Sequence, residues 1–254
     1  MAAEYPYLCA YSHYESLRQH EEGLWERSFR ENVCCARTIE KALKQQYETN
    51  RPSLLPEGCA APILKEYGFK RTSFVLANSL KELEEVPALR EMVSDDARAW
   101  AKRQCVVSDP TYSRYFMVDT PIVLMNQFVK QVQDAYQALG LFEHEHCAAD
   151  MYDGNVEGKV LVLSPDTLQE EFWTPENQLW LANGGFGCEP KARGRAIHAT
   201  CLGDEETVYW NREDFTGVLD EQYLPEWAKE KLEALRAPRQ NQSAAPTMGG
   251  MEMG

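Results

Sequence analysis

The sequence predicts an α+β protein, in which a mainly helical N-terminal domain is followed by a small C-terminal domain built on an antiparallel sheet. In the first half, apolar residues recur at the three- and four-residue spacing of one helix face. After about residue 158 they come instead in short continuous or alternating runs, which are typical of strands. The predicted boundaries are 1–142 for the helical domain, 143–158 for a polar linker, 159–236 for the sheet domain and 237–254 for a disordered tail.

The clearest helix is predicted from about residue 14 to residue 47. Its apolar face consists of Trp25, Phe29, Val33, Ala36, Ile39, Leu43 and Tyr47. Ser12 is the predicted N-cap, with Glu15 as its partner in a capping box. Gly23 is the point at which this stretch is expected to divide into two helices.

Further helical segments follow in the first half. A short helix is expected to end at Gly68, and residues 69–80 are interpreted as another helix, although periodicity leaves a strand open. Asp95 or Asp96 can cap a short helix, and residues 121–141 form the second strongly periodic one.

The second half predicts four strands and a terminal helix. The strands are 159–165, 177–182, 196–202 and 207–210, with a hairpin turn at 203–205 and the helix at 225–235. These runs are short and lie in a stretch dense in glycine and aromatic residues, which favours a compact β-rich unit.

Composition limits the classes of function. The net charge of −14 repels phosphate backbones, so nucleic acid is not the expected partner. No apolar run of about 18 residues occurs and the N-terminus lacks signal-peptide features, so a cytoplasmic location without membrane contact is expected. The eight cysteines form no CxxC pair and are expected to be reduced thiols.

Two groups of residues are candidates for catalysis or metal binding. His144, His146 and Cys147 are ligand types that suit zinc. The sequence has no second pair of ligands, such as CxxC or HxxxH, to complete a zinc site, which favours a solvated linker. Cys188 and His198 are a candidate thiol and base without a third orienting group. We therefore predict no catalytic residues, no bound metal and no cofactor.

The glycines of Gly184-Gly185-Phe186-Gly187 are candidates for cradling a phosphate through backbone N–H groups. Phosphate loops stand between a strand and a helix, whereas the segment that follows here leads into a strand. A tight β-turn or bulge is the favoured interpretation, because glycine adopts positive φ at low cost.

Four tryptophans are concentrated in the second half, which fits either a ligand groove or interface, or a small core that needs large side chains. Trp173 and Trp227 fall at the edges of the predicted strands and are the better candidates for the surface. The candidate binding residues are Trp173, Trp180, Phe186, Arg195, Trp210, Arg212, Asp214 and Trp227.

Two segments carry a resemblance to a known family. The first spans residues 5–136 and includes Glu66-Tyr67-Gly68-Phe69-Lys70-Arg71, Trp100-Ala101 and Pro121; the second spans residues 178–228, with the pieces GGFGC, WNREDF and LPEWA. The chain resembles an uncharacterised domain-of-unknown-function family found on conjugative and other mobile elements of Firmicutes. Asp119-Thr120-Pro121-Ile122 replaces the His-Pro-Gly that relatives tend to have. The resemblance implies a mobile-element accessory protein and no catalytic residues.

Three functional hypotheses remain open. The first is a non-enzymatic protein-binding or regulatory module with another protein as its partner and an oligomeric state that the sequence does not fix. The second is an inhibitor of a host defence system that mimics DNA through an acidic fringe, which comprises Asp204, Glu205, Glu206, Glu213, Asp214, Asp220 and Glu221. The third is a hydrolase or metal-dependent enzyme without a recognisable signature.

Overall fold

The computed structural model describes residues 8, 12–50, 54–104, 112 and 114–236. The predicted tail at 237–254 lies outside these residues. A mainly helical region precedes a six-stranded antiparallel sheet, which confirms the predicted α+β class. No helix among the described residues is long and apolar enough to cross a membrane.

The chain divides into two compact units. The helical unit comprises Met1–Leu141 and Pro165–Pro175, and the sheet unit comprises Phe142–Ser164 and Glu176–Gly254. Residues 143–158, expected as a linker, contain a short 3₁₀ helix and a strand that pairs within the sheet.

Six α-helices lie within the described residues of the first part of the chain. They are α1 (His13–Gln19), α2 (Glu22–Asn50), α3 (Ala61–Glu84), α4 (Pro87–Arg90), α5 (Asp95–Ala101) and α6 (Ile122–Gln137). The core between them is formed mainly by α2, α3 and α6, and its largest fully buried side chains include Ile39, Leu43, Phe74, Leu76, Leu80, Leu124, Met125 and Phe128. Each such side chain contributes about 1.5–3 kcal/mol when it is fully buried.

The ends of these helices test the predicted caps. Ser12 caps α1 as predicted, since its Oγ accepts the Glu15 N–H at 3.2 Å. The break between α1 and α2 is at His20, whose φ of 59° is left-handed, and Gly23 lies inside α2. Ser94 caps α5, so the prediction of Asp95 or Asp96 is displaced by one residue.

Residues 69–80 are helical, which confirms the favoured interpretation of that segment. Gly68 is a kink with φ 77° inside α3, so the second half of this helix has its own N-terminus. The Glu170 carboxylate satisfies that N-terminus by accepting the N–H groups of Phe69 at 2.5 Å and Lys70 at 2.6 Å. Because Glu170 is about 100 positions further along the chain, sequence spacing does not reveal this cap.

Six strands form the sheet in the described residues of the sheet unit. They are β1 (Cys147–Ala149), β2 (Val160–Leu163), β3 (Leu179–Gly184), β4 (Ala196–Cys201), β5 (Thr207–Asn211) and β6 (Phe215–Leu219), with the helical turn α7 (Pro175–Gln178) before β3 and the helix α8 (Glu226–Arg236) at the end. The order in the sheet is β1-β6-β2-β3-β4-β5, and every pairing is antiparallel. The four predicted strands are present, whereas β1 and β6 were not predicted.

One face of the sheet packs against α8. The cluster joins residues of β2 and β3 to the helix and includes Val160, Val162, Leu179, Leu181, Leu202, Ala228 and Leu232. The β4–β5 hairpin predicted at 203–205 is formed, with the Cys201 N–H donating to the Glu206 carbonyl at 2.8 Å. This hairpin places β5 at one edge of the sheet.

Candidate binding surface

The glycine loop, residues 184–195, connects β3 to β4. Gly184 and Gly185 have φ values of 144° and 115°, and the register of β3 against β4 shifts at Gly184. A Cβ on Gly185 would lie 2.6 Å from the Ala196 carbonyl oxygen, so a side chain at this position would meet fixed backbone. The predicted interpretation of these glycines as a turn or bulge is confirmed.

Arg212, which directly follows β5, holds the glycine loop in place. Its side chain is 3% exposed, and its guanidinium donates to four carbonyl oxygens, those of Phe186, Gly187, Glu189 and Pro190. The Nε–O distance to Gly187 is 2.7 Å, and the Tyr152 ring lies 5.1 Å from the guanidinium carbon. A planar guanidinium has five N–H donors in a fixed fork, so one side chain can fix several carbonyls at once.

Phe186 is presented to solvent by this fixed loop. Its residue is 78% exposed, although the backbone on either side is tied to Arg212. Single exposed apolar residues are common on protein surfaces, and exposure alone therefore says little. A large exposed aromatic ring on a rigid loop is, however, well suited to bury itself in a partner protein. The backbone of such a loop loses little conformational entropy on binding, because it is already ordered.

The surface of the glycine loop is locally basic. Lys191, Arg193 and Arg195 are exposed, and Glu189 is the loop's one carboxylate. Arg195 forms an ion pair with Glu213, just after β5. The loop therefore carries a positive formal charge within a chain whose net charge is −14.

Three predicted binding residues meet at the glycine loop, namely Phe186, Arg195 and Arg212. Asp214 serves the backbone nearby, since its carboxylate accepts the Asn211 N–H at 2.7 Å. Arg212 and Asp214 thus fix the backbone of this surface, while the side chains of Phe186 and Arg195 are exposed on it.

The four tryptophans lie elsewhere. Trp180 is buried and its ring meets Trp210 edge-to-face, with centroids 5.3 Å apart. Trp227 is half-buried and packs against the cluster under α8. The expectation that Trp173 lies on the surface is wrong, because it is 8% exposed and belongs to the helical unit, where it contacts Phe69 and Tyr136.

The candidate thiol nucleophile has no activating surroundings. Burial raises the pKa of the Cys188 thiol, with the Glu157 carboxylate adding to the effect, whereas a reactive cysteine needs a lowered pKa. The His198 ring packs against Tyr209, with centroids 4.8 Å apart. Neither observation supports the hydrolase hypothesis.

The candidate metal ligands are engaged in local contacts. His146 Nδ1 accepts the Glu143 N–H at 2.9 Å, and its ring packs between Phe142 and Tyr223. His144 lies 3.1 Å from Asp150, and burial raises the pKa of Cys147 to about 11. Within the part of the chain that the structure describes, no three His, Cys, Asp or Glu residues are grouped as a metal site.

The acidic fringe is largely tied to local partners. Glu205 pairs with Lys231, and Glu213 pairs with Arg195. The carboxylates of Asp204, Asp214 and Asp220 accept backbone N–H groups of neighbouring turns. The ion pairs of Glu205 and Glu213 offset part of the negative charge on which the DNA-mimicry hypothesis depends.

Sequence reasoning missed one exposed aromatic residue of this region. Tyr209 is 71% exposed at the centre of β5. The sequence pattern that indicates it is a run of five uncharged residues, Thr207-Val208-Tyr209-Trp210-Asn211, directly after a hairpin turn. The edge position of β5 follows only from the full strand order.

Fold and surface together define an α+β protein with a helical unit and a sheet unit that carries an exposed aromatic side chain on a fixed loop. The chain belongs to the family described as protein of unknown function (DUF3849), whose model matches residues 5–137. This confirms the predicted membership of a domain-of-unknown-function family, and the match ends before β1. No curated protein and no solved structure matches the chain.

Proposed function

We propose that this chain is a non-enzymatic protein-binding module whose sheet unit contacts a partner protein through the glycine loop, with Phe186 as the anchor. The observation that supports this most directly is the 78% exposure of Phe186 on a loop whose carbonyls are held by buried Arg212. Full burial of this ring against a partner contributes about 1.5–3 kcal/mol. Little of that gain is lost to ordering the loop, because the loop is already fixed.

The surroundings of Phe186 favour a protein partner over nucleic acid. The exposed cations of the glycine loop attract acidic side chains at the rim of an interface, where charges mainly steer association. A phosphate backbone would meet the chain's net charge of −14 over any larger footprint. The partner surface we expect therefore combines an apolar pocket with flanking carboxylates.

The cellular setting belongs to the same proposal. The resemblance of the family motifs to proteins of mobile elements of Firmicutes supports an accessory or regulatory role on such an element, in the cytoplasm. The identity of the partner would specify that role. A nuclease or methylase would indicate inhibition of host defence, and a relaxase or secretion component would indicate a function in transfer.

The test is affinity purification of the tagged full chain from its source organism, with quantitative mass spectrometry of co-purifying proteins. Phe186→Ala is compared with Leu54→Ala, a matched control because Leu54 is 76% exposed in the helical unit. We expect one enriched partner with the wild type and the control, and at least about a tenfold loss with Phe186→Ala, as for an anchor residue. Absence of an enriched partner, or equal recovery with both variants, would contradict the proposal.

A further inference from the structure

The free side of β5 can be read from its pairing with β4. The Arg212 N–H donates to the Arg195 carbonyl at 2.8 Å, and the Cys201 N–H donates to the Glu206 carbonyl at 2.8 Å. In an antiparallel pair such bonds recur at every second residue, so Val208 and Trp210 bond to β4. The backbone groups of Thr207, Tyr209 and Asn211 therefore point away from β4.

In the part of the chain that the structure describes, this edge strand lacks the charged residues and prolines that usually prevent pairing. Natural edge strands carry lysine, proline or inward charges that prevent another strand from adding to the sheet. The five residues of β5 include no charged residue and no proline. Among the described residues, the one outward-facing backbone group of β5 with a partner is the Asn211 N–H, which donates to the Asp214 carboxylate at 2.7 Å, so one end of the edge is closed and its centre is open.

The sequence of β5 is complementary to itself in the antiparallel direction. If two copies pair about Tyr209, Tyr209 lies opposite Tyr209, Val208 opposite Trp210, and Thr207 opposite Asn211. In this register an aromatic side chain pairs with an aromatic one, an apolar side chain with an apolar one and a polar side chain with a polar one. Such cross-strand pairs stabilise a sheet. The two Tyr209 residues would exchange both of their outward backbone hydrogen bonds.

The charges at the two ends of β5 also favour the antiparallel direction. One end joins the acidic hairpin turn Asp204-Glu205-Glu206, whereas the other end is followed by Arg212, Glu213 and Asp214, and Glu213 pairs with Arg195 of the glycine loop. Antiparallel pairing sets the acidic turn of each copy beside the end at which charges of both signs lie. Parallel pairing would set the two acidic turns together.

We infer that β5 pairs with β5 of a second copy of this chain and forms a two-fold symmetric dimer with a continuous twelve-stranded sheet, twice the six strands of one copy. The partner of this surface is thus the chain itself. A contact of five residues on each side is small, so the dimer dissociates in the range of about 1–100 µM. The inference does not depend on the proposed function, because Phe186 lies on the glycine loop and not on the edge.

Sedimentation velocity of the full chain, over about 1–200 µM, tests the pairing. We expect a monomer–dimer equilibrium for the wild type. Tyr209→Lys should abolish the dimer, since like charges directly opposite are unfavourable. Val123→Lys, which replaces an exposed apolar residue of α6, should leave the equilibrium unchanged. A wild type that stays monomeric, that forms larger assemblies, or that responds equally to both variants would overturn the inference.

Discussion

Replacement of Arg212 is the change that most directly tests how the candidate binding surface is built. Arg212→Met removes the guanidinium from four carbonyl oxygens while it retains an apolar side chain of similar length. Each hydrogen bond from a charged donor contributes about 1.5–3 kcal/mol. The sum of four would overestimate the loss, because the loop opens and water reaches the exposed carbonyls. We expect the sheet unit to lose about 3 kcal/mol, close to the cost of one or two such bonds.

Two measurements check this expectation. Urea unfolding gives the loss of stability, and hydrogen exchange reports on the loop itself, in which the Cys188 N–H donates to Gly185 at 3.0 Å. Arg212→Lys separates charge from geometry, since lysine keeps the charge but lacks the planar fork. It should lose most of the same stability.

Arg195→Met is the matched control for Arg212→Met. Arg195 is exposed and makes a surface ion pair, which is worth about 0–1 kcal/mol. If Arg212→Met lowers stability no more than this control, and the amides of the glycine loop stay protected, then Arg212 does not hold the loop. Partner recovery should also fall with Arg212→Met although Phe186 is unchanged.

Two further predictions concern the helical unit. Glu170→Ala should cost about 1–2 kcal/mol and speed exchange of the Phe69 and Lys70 amides, as for loss of an N-cap, whereas alanine at the exposed neighbour Glu171 should do neither. Burial raises the pKa of Cys35 from 9.0 to about 12, so the folded thiol keeps a proton that the unfolded chain releases. Stability present below pH 9 should therefore fall as the pH rises toward 12, by up to about 4 kcal/mol. Chemical denaturation of wild type and Cys35→Ala across this range should show the decline mainly in the wild type.

Local patterns predicted those elements that local interactions stabilise. Ser12 caps α1 because its partner is three residues away, and residues 69–80 are a helix because their apolar spacing allows one. β6 escaped prediction because Gly217 interrupts a short apolar run, yet this strand lies between β1 and β2. Its glycine fits since a Cβ there would lie 2.8 Å from the Ala149 carbonyl oxygen, a contact that exists only in the folded sheet.

The candidate surface was predictable in its residue types and not in their roles. The sequence predicts Phe186, Arg195 and Arg212 as candidate binding residues because they belong to one aromatic and glycine-rich stretch. Nothing in that stretch reveals that Arg212 is buried, because its four acceptors are backbone carbonyls that lie 22 to 26 residues away. Tyr209 was overlooked for a related reason, since an edge strand is defined by the absence of a neighbour.

Net charge is a poor guide to this surface. The charge of −14 argues against phosphate binding over the whole chain, and it also led to the hypothesis of acidic mimicry. At the distance of a contact, however, the charges within about 10 Å decide, because salt screens the rest. Around the glycine loop these include Lys191, Arg193 and Arg195, opposed by Glu189 and by Glu213, which pairs with Arg195. An acidic partner is therefore compatible with an acidic chain. If local attraction dominates, partner binding should weaken as the salt concentration rises. If repulsion by the net charge of the whole molecule dominates, binding should strengthen with salt.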